Sequence, residues 1–224
     1  MKFKHELVEL YQLKAATANG KRFYETPEGD RYPSVTTITG LLSREAIQAW
    51  RLRVGEEAAN KITKAATTRG TKVHKLAEMY LRNELVLQTS LFDEQEPLIG
   101  DMFNQLVEEL DKNVGTVRAI EASLYSNALR VGGTVDLIAE WDGILSVIDF
   151  KTSSKPKKVD WIDAYFMQCS AYAMMWEERT GVPISQVVIA IAVDNHAAQV
   201  FFGKPDDYIE QFKDLRTKFD IIGS

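Results

Sequence analysis

The sequence predicts an α/β protein: a helical first half, then strands and helices in the order β-β-β-α-β-β-α. Three observations carry this. Apolar residues fall at helical spacing before residue 115, as Val73, Leu76, Ala77, Tyr80 and Leu81 and again as Ile99, Met102, Phe103, Leu106, Val107 and Leu110. The texture then changes, and Val117–Tyr125, Arg130–Trp141 and Ile144–Phe150 read as three consecutive strands. Finally, Val187–Val193 is a continuous apolar run, as expected of a strand buried on both faces.

The 224 residues fit one generous domain or one domain with a small appendage, and a hydrophobic fraction of 45% supports a core. No apolar run is long enough to span a bilayer. The N-terminus, MKFKHELVELYQLK, lacks the uninterrupted apolar stretch of a secretory signal and the Arg-rich, acid-poor character of a transit peptide. The single cysteine, Cys169, excludes an intramolecular disulfide, an all-cysteine zinc site and a cysteine-held iron–sulfur cluster made by this chain alone. A cytosolic location is the expectation. The net charge of -5 disfavours an indiscriminate nucleic-acid coat, but the charge is uneven. Between Arg44 and Lys75 eight basic residues face three acids, +8 - 3 = +5, and Lys151, Lys155, Lys157 and Lys158 form a second basic group.

Taken in order, residues 1–20 suggest a short helix ending at Asn19-Gly20. Arg22–Glu25 and Arg31-Tyr32 flank Pro27-Glu28-Gly29-Asp30 as a hairpin. Ser34 is suited to cap a short helix, and Ser43 opens a longer one from Arg44 towards Ala66. Arg69-Gly70-Thr71 breaks the chain and starts another helix, with His74 beside its apolar stripe. A cleaner amphipathic helix covers Asp93–Asn113. After the three strands, Asp160–Thr180 is a helix stopped by Gly181-Val182-Pro183. Val187–Val193 pairs with Ala198–Phe202 as an antiparallel neighbour, and Pro205–Ile222 closes the chain as a helix.

The densest chemistry lies between Gly132 and Lys155. Asp142-Gly143 between two apolar runs is a hairpin signal. Alternation along the strands puts Val135, Leu137 and Ala139 on one face and Asp136 on the other. On the return strand Asp149 and Lys151 point together, opposite Ile148 and Phe150. Asp136, Asp149 and Lys151 therefore meet if the hairpin closes at Asp142-Gly143. Two carboxylates suit a hard cation such as Mg²⁺ or Mn²⁺, and the lysine suits an anionic transition state. Asp-x-Lys alone is common; its coupling to an acid on the partner strand makes it specific. Glu121 can add a carboxylate or face solvent, and the pattern does not decide. His74 alone is a weak signal, although imidazole is a competent Mn²⁺ ligand. Gln168 and Tyr172 lie one helical turn apart on a shared face, and Cys169 reads as a small buried residue. No Walker loop and no Gly-x-Ser-x-Gly elbow is present.

Gly70-Thr71-x-x-His74, Glu121, Gly133-x-x-Asp136, Asp149-Phe150-Lys151 and Gln168-x-x-x-Tyr172 occur in that order. Together they resemble the PD-(D/E)XK nuclease superfamily and its RecB-type exonuclease branch, including the mitochondrial genome-maintenance exonucleases and their bacterial and phage relatives. Pro33-Ser34-Val35-Thr36 with Trp50, Val117-Arg118-Ala119-Ile120-Glu121, and Val147–Ser153 with Lys155-Pro156-Lys157 carry the nearer likeness. The resemblance implies a restriction-endonuclease-like core with a mixed central sheet flanked by helices. Residues 116–224 would form this core, with residues 1–115 a mainly helical arch or wall over the site, in one integrated domain. It implies metal-dependent phosphodiester hydrolysis, exonucleolytic, on single-stranded DNA or DNA ends. His74, Asp136, Asp149 and the Phe150 carbonyl would hold Mg²⁺ or Mn²⁺, without an iron–sulfur cluster. Lys151 would be the catalytic lysine beside Asp136, Asp149 and Glu121. Gln168, Tyr172, Thr152, Ser153, Lys155, Arg69 and Lys72 would contact substrate or support its site. Trp50, Tyr80 or Phe103 would stack bases, with core packing favoured for Phe103. The same likeness leaves open a structure-specific endonuclease, or a DNA-end-binding recombination module with little hydrolysis. It suggests a bacterial or phage setting, no membrane association, and a replication or recombination protein as partner.

Overall fold

The computed structural model describes residues 2–84 and 97–223. Its elements are β1 (Lys4–His5), β2 (Lys14–Ala18), β3 (Lys21–Glu25), β4 (Arg31–Pro33), α1 (Val35–Thr39), α2 (Arg44–Val54), α3 (Glu56–Leu81) and α4 (Pro97–Asn113). These are followed by β5 (Val114–Ser126), β6 (Val131–Trp141), β7 (Ile144–Ser153), α5 (Asp163–Thr180), β8 (Gln186–Val193), β9 (Gln199–Gly203) and α6 (Pro205–Gly223). Short 3₁₀ turns, Gly40–Ser43 and Val159–Trp161, precede α2 and α5.

Six strands form one mixed sheet in the order β1-β5-β6-β7-β8-β9. β1 runs parallel to β5 and β7 parallel to β8, and the other neighbours are antiparallel. One face packs on α1, α5 and α6 through Ile38, Ile138, Val147, Phe166, Trp176, Ile189 and Phe212. The other packs on α3 and α4 through Val73, Phe103, Leu106, Leu137, Ile148, Phe150 and Val188. The expected three-layer α/β core is thus present. β8 sends odd positions to one layer and even positions to the other, which explains its unbroken apolar run. Among the described residues, no helix is long and apolar enough to cross a membrane.

Residues 2–20 are not helical. Asn19 and Gly20, at φ 52° and 72°, make the left-handed pair of a hairpin turn joining β2 to β3. Alanine-rich β2 is held by that pairing against its own helix propensity. The break between α2 and α3 falls at Gly55, whose φ of 85° and ψ of 150° cannot continue a helix. Gly70 instead lies inside the continuous α3. The start expected for α4, residues 93–96, lies outside the described residues. Tyr80 is buried between Phe3 and Phe103 and donates to Asp111 at 2.7 Å, so it packs the core and is not a base-stacking surface. Phe103 is a core residue, as expected.

β6 departs from simple alternation. Val135 packs towards α5, whereas Leu137 and Ala139 pack towards α3 and α4. On β5, Ile120 packs towards α3 and α4, and Ala122 towards α5. Both strands therefore change face at one level, between the pairs Ile120↔Leu137 and Ala122↔Val135, where Glu121 and Asp136 lie. Glu121 has a φ of 46°, in the left-handed region that is rare for such a residue. The expectation that Val135 shares a face with Leu137 fails here because the pleat is interrupted.

Candidate active site

The site forms where β6 and β7 part. Asp142 and Gly143, at φ 52° and 78°, close the hairpin as anticipated, and its ladder runs from Trp141↔Ile144 to Leu137↔Ile148. Beyond that pair β6 stays with β5 while β7 continues beside β8 to Ser153↔Val193. Asp136 and Asp149 are the first residues past the split. The Phe150 N–H, which no longer meets β6 backbone, donates to Asp136 Oδ2 at 2.8 Å. The fork thus supplies both acids and uses one to satisfy its own freed amide.

The α3 side contributes His74, whose Nδ1 lies 3.5 Å from Asp136 Oδ2. Its ring meets Phe150 edge-on at 6.1 Å. Ligand atoms of His74, Glu121 and Asp136 all lie within 4.8 Å of one another. On the α5 side, Asp149 accepts from Gln168 Nε2 at 2.8 Å through Oδ1 and pairs with Lys151 through Oδ2. That Oδ2 is fully buried and has no hydrogen bond besides the ion pair. Lys151 Nζ sits 5.1 Å from the centre of the Tyr165 ring.

Charge is distributed unevenly. Burial, then the neighbouring Asp136 carboxylate, pushes Glu121 up to about 7. Burial pushes Asp149 up to about 6, with Lys151 opposing and Asp136 adding to the shift. For Asp136 burial acts upwards too, but His74, Lys151 and the Phe150 amide outweigh it and hold its carboxyl below the usual range. Burial would neutralise Lys151, yet Asp149 and Asp136 more than offset it, so Lys151 is an ammonium ion. His74 is likewise raised, burial being outweighed by Asp136.

Two carboxylates and an imidazole converging at this distance fit a divalent cation, with the Asp149 carboxylate, held by Gln168 and Lys151, on the neighbouring strand. The structure brings His74, Glu121, Asp136, Asp149 and Lys151 together at the fork. Glu121 joins the ligand cluster, while Asp149 is engaged by Gln168 and Lys151. Since Glu121 and His74 must both be unprotonated to ligate, metal affinity depends on pH. With Glu121 titrating at about 7 and His74 also raised, Mn²⁺ affinity is expected to fall by more than about tenfold from pH 8 to pH 6, as calorimetric titration at the two pH values can show. A pH-independent affinity would exclude Glu121 from the ligands.

A cavity of about 510 Å³ opens onto the cluster and is lined by Arg22, Gly70, Thr71, His74, Lys75, Glu78, Glu121, Thr134 and Asp136. Arg22 comes from β3, and no pattern in the sequence links it to this cavity. β3 belongs to a separate three-stranded sheet, β2-β3-β4, which reaches the cavity because Tyr24 packs over Gly132 and its hydroxyl meets Thr134 Oγ1 at 3.2 Å. Tyr165, which no pattern in the sequence marks either, is one turn before Gln168 and Cys169 and two turns before Tyr172 on α5.

The remaining expected residues are less central. Tyr172 is buried and packs on the Gly133 backbone, where an added Cβ would lie 2.7 Å from its ring. Ser153 donates to the Lys155 carbonyl at 2.6 Å and shapes the turn after β7. Thr152 lies beside α3, its hydroxyl 3.6 Å from where a Cβ on Gly70 would stand. Lys155 and Lys72 are exposed, and Trp50 is partly buried. Arg69 lines a second cavity, of about 570 Å³, with Lys61, Lys64, Thr68, Leu98 and Ile99. Cys169 is buried and unpaired, as expected.

Residues 48–220 match the family model of the PD-(D/E)XK nuclease superfamily. Mitochondrial genome maintenance exonuclease 1 of Homo sapiens is 31% identical over 133 residues, 56% of this chain and 38% of that protein. The protein of the same name from Mus musculus is 30% identical over 135 residues, 55% of this chain and 38% of its own length. The chain therefore matches under two fifths of the length of these relatives. A crystal structure from Eubacterium rectale, of a protein provisionally described as an exonuclease, superposes with a TM-score of 0.43 at 13% identity. That superposition covers 66% of this chain and 63% of the other.

Proposed function

The chain belongs to the PD-(D/E)XK nuclease superfamily, and from that premise we propose that it is a metal-dependent DNA exonuclease acting on single-stranded DNA or DNA ends. The observation that carries the reading is the convergence of His74, Glu121 and Asp136 beside the buried Asp149 and its ion-pair partner Lys151. In this reading His74, Glu121 and Asp136 hold Mg²⁺ or Mn²⁺, with Asp149 and the Phe150 carbonyl adjacent. Such an ion, when bound, neutralises charge on the scissile phosphate and acidifies a water.

The chain's own residues supply the rest. Lys151, kept cationic by its acidic neighbours, stabilises the negative charge that develops on the phosphoryl oxygens. Gln168 fixes the Asp149 carboxylate, and Asp149 in turn fixes the lysine. Arg22 and Lys75 lie on the cavity wall, placed to meet backbone phosphates. Lys61, Lys64 and Arg69 continue the basic surface along α3, which suits a strand that is held by its phosphates.

Cleavage of end-labelled linear single-stranded DNA and of a circular counterpart, each with Mg²⁺, Mn²⁺ or chelator, tests the proposal. Loss of the linear strand only, dependent on metal and absent in Asp149→Ala, is the expected result. Cutting of the circle would make the enzyme an endonuclease. DNA binding without cleavage would leave an end-binding module.

A further inference from the structure

Glu121 is the member of the cluster that the backbone accommodates least readily. Its φ of 46° lies where glutamate is strained, and both β5 and β6 change face at its level. Something must hold the peptide in that turn. Among the described residues a candidate stands at the C-terminal end of α3, the helix that carries His74.

Arg82, the residue capping the C-terminus of α3, donates from Nη2 to the Ile120 carbonyl at 3.1 Å. That carbonyl belongs to the peptide unit whose nitrogen is Glu121's own, so its direction and the Glu121 φ are set together. The guanidinium is itself fixed, because its Nε donates to Glu78 Oε1 at 3.0 Å. Glu78 in turn takes Lys75 Nζ on Oε2 at 2.8 Å. Glu78 and Lys75 line the same cavity as His74 and Glu121. One helix therefore presents an imidazole directly and, eight residues on, braces the opposing carboxylate through its backbone.

We propose that Arg82 is a positioning residue: by holding the Ile120 carbonyl it keeps Glu121 turned into the cluster with His74 and Asp136. The inference rests on the reading of that cluster as a divalent-cation site. A planar fork is needed to serve Glu78 and the carbonyl at once, and lysine has no such fork. Residues that orient metal ligands commonly change metal affinity by ten- to a hundredfold.

Mn²⁺ titration of the full chain without DNA tests this, in the parent, Arg82→Met, Arg82→Lys, Glu121→Gln and the Arg82→Met/Glu121→Gln double variant, each also melted. Arg82→Met is expected to bind Mn²⁺ about tenfold or more weakly and Arg82→Lys to recover part of the loss. The double variant should bind no more weakly than Glu121→Gln, since the arginine acts only through that glutamate. Parental affinity in Arg82→Met, or losses that multiply in the double variant, would overturn the role of Arg82. Failure of the parent itself to bind Mn²⁺ would overturn the cation site and this inference with it.

Discussion

Lys151→Met is expected to lower DNA cleavage by about a thousandfold while leaving a folded protein. The substitution removes the cation that faces the phosphate. It also releases Asp149, whose carboxyl already titrates at about 6 with the lysine present. Without the ammonium partner its protonation moves higher, so near neutral pH the site loses a positive and a negative charge together. Loss of one preorganised charge-stabilising group typically costs a hundred- to a thousandfold, and the second change adds to it. Lys151→Arg is expected to restore little, because the larger planar guanidinium cannot take the place between Asp149 and the Tyr165 ring. The stability of Lys151→Met carries a sign. A carboxyl whose folded pKa is raised favours the fold below its unfolded pKa, and that contribution is lost as pH rises through the folded value. Lys151→Met should therefore melt closer to the parent at pH 6 than at pH 8, a comparison that thermal melts make directly. Equal cleavage by the variant would remove Lys151 from the chemistry.

Asp136→Asn is expected to abolish Mn²⁺ binding and to lower cleavage by a similar factor, with little change in melting temperature. The carboxamide oxygen can still accept the Phe150 N–H that Asp136 now holds at 2.8 Å. What is lost is the negative charge that faces His74 at 3.5 Å and completes the ligand cluster. Asp136→Ala is the informative contrast. It removes the acceptor too, leaves the buried Phe150 amide unpaired, and should cost about 1–3 kcal/mol more in stability. Calorimetric titration with Mn²⁺ and thermal melts of both variants separate the electrostatic role from the structural one. Retained Mn²⁺ binding in Asp136→Asn would remove Asp136 from the ligands.

Much of the core was legible because its signals are local. Asp142-Gly143 closes the hairpin, and β8 is an unbroken apolar run because both its faces are covered. Asn19-Gly20 has the same turn chemistry as Asp142-Gly143, yet the alanines before it invite a helix. Only pairing with β3, a tertiary matter, decides for the strand. Gly55 and Gly70 show the complementary difficulty: one ends a helix and the other lies within one, and both are single glycines between helix-forming residues. In the site, Asp136, Asp149 and Lys151 came from strand alternation. Alternation brings them near one another but puts Val135 on the same face as Leu137, which fails because the pleat breaks at Glu121 and Asp136. His74 and Gln168 became visible as site residues only through the family resemblance. Arg22, Tyr165 and Arg82 had no such signal. Arg22 arrives through the packing of Tyr24 on Gly132, Tyr165 through its face towards Lys151, and Arg82 through one bond to a backbone carbonyl.

The most direct test of the cation site is the anomalous signal of Mn²⁺ diffused into crystals of the protein. A peak within ligand distance of His74, Glu121 and Asp136, at the fork between β6 and β7, is the expected result. A peak elsewhere, or none at a concentration that supports cleavage, would contradict the site from which the function is argued.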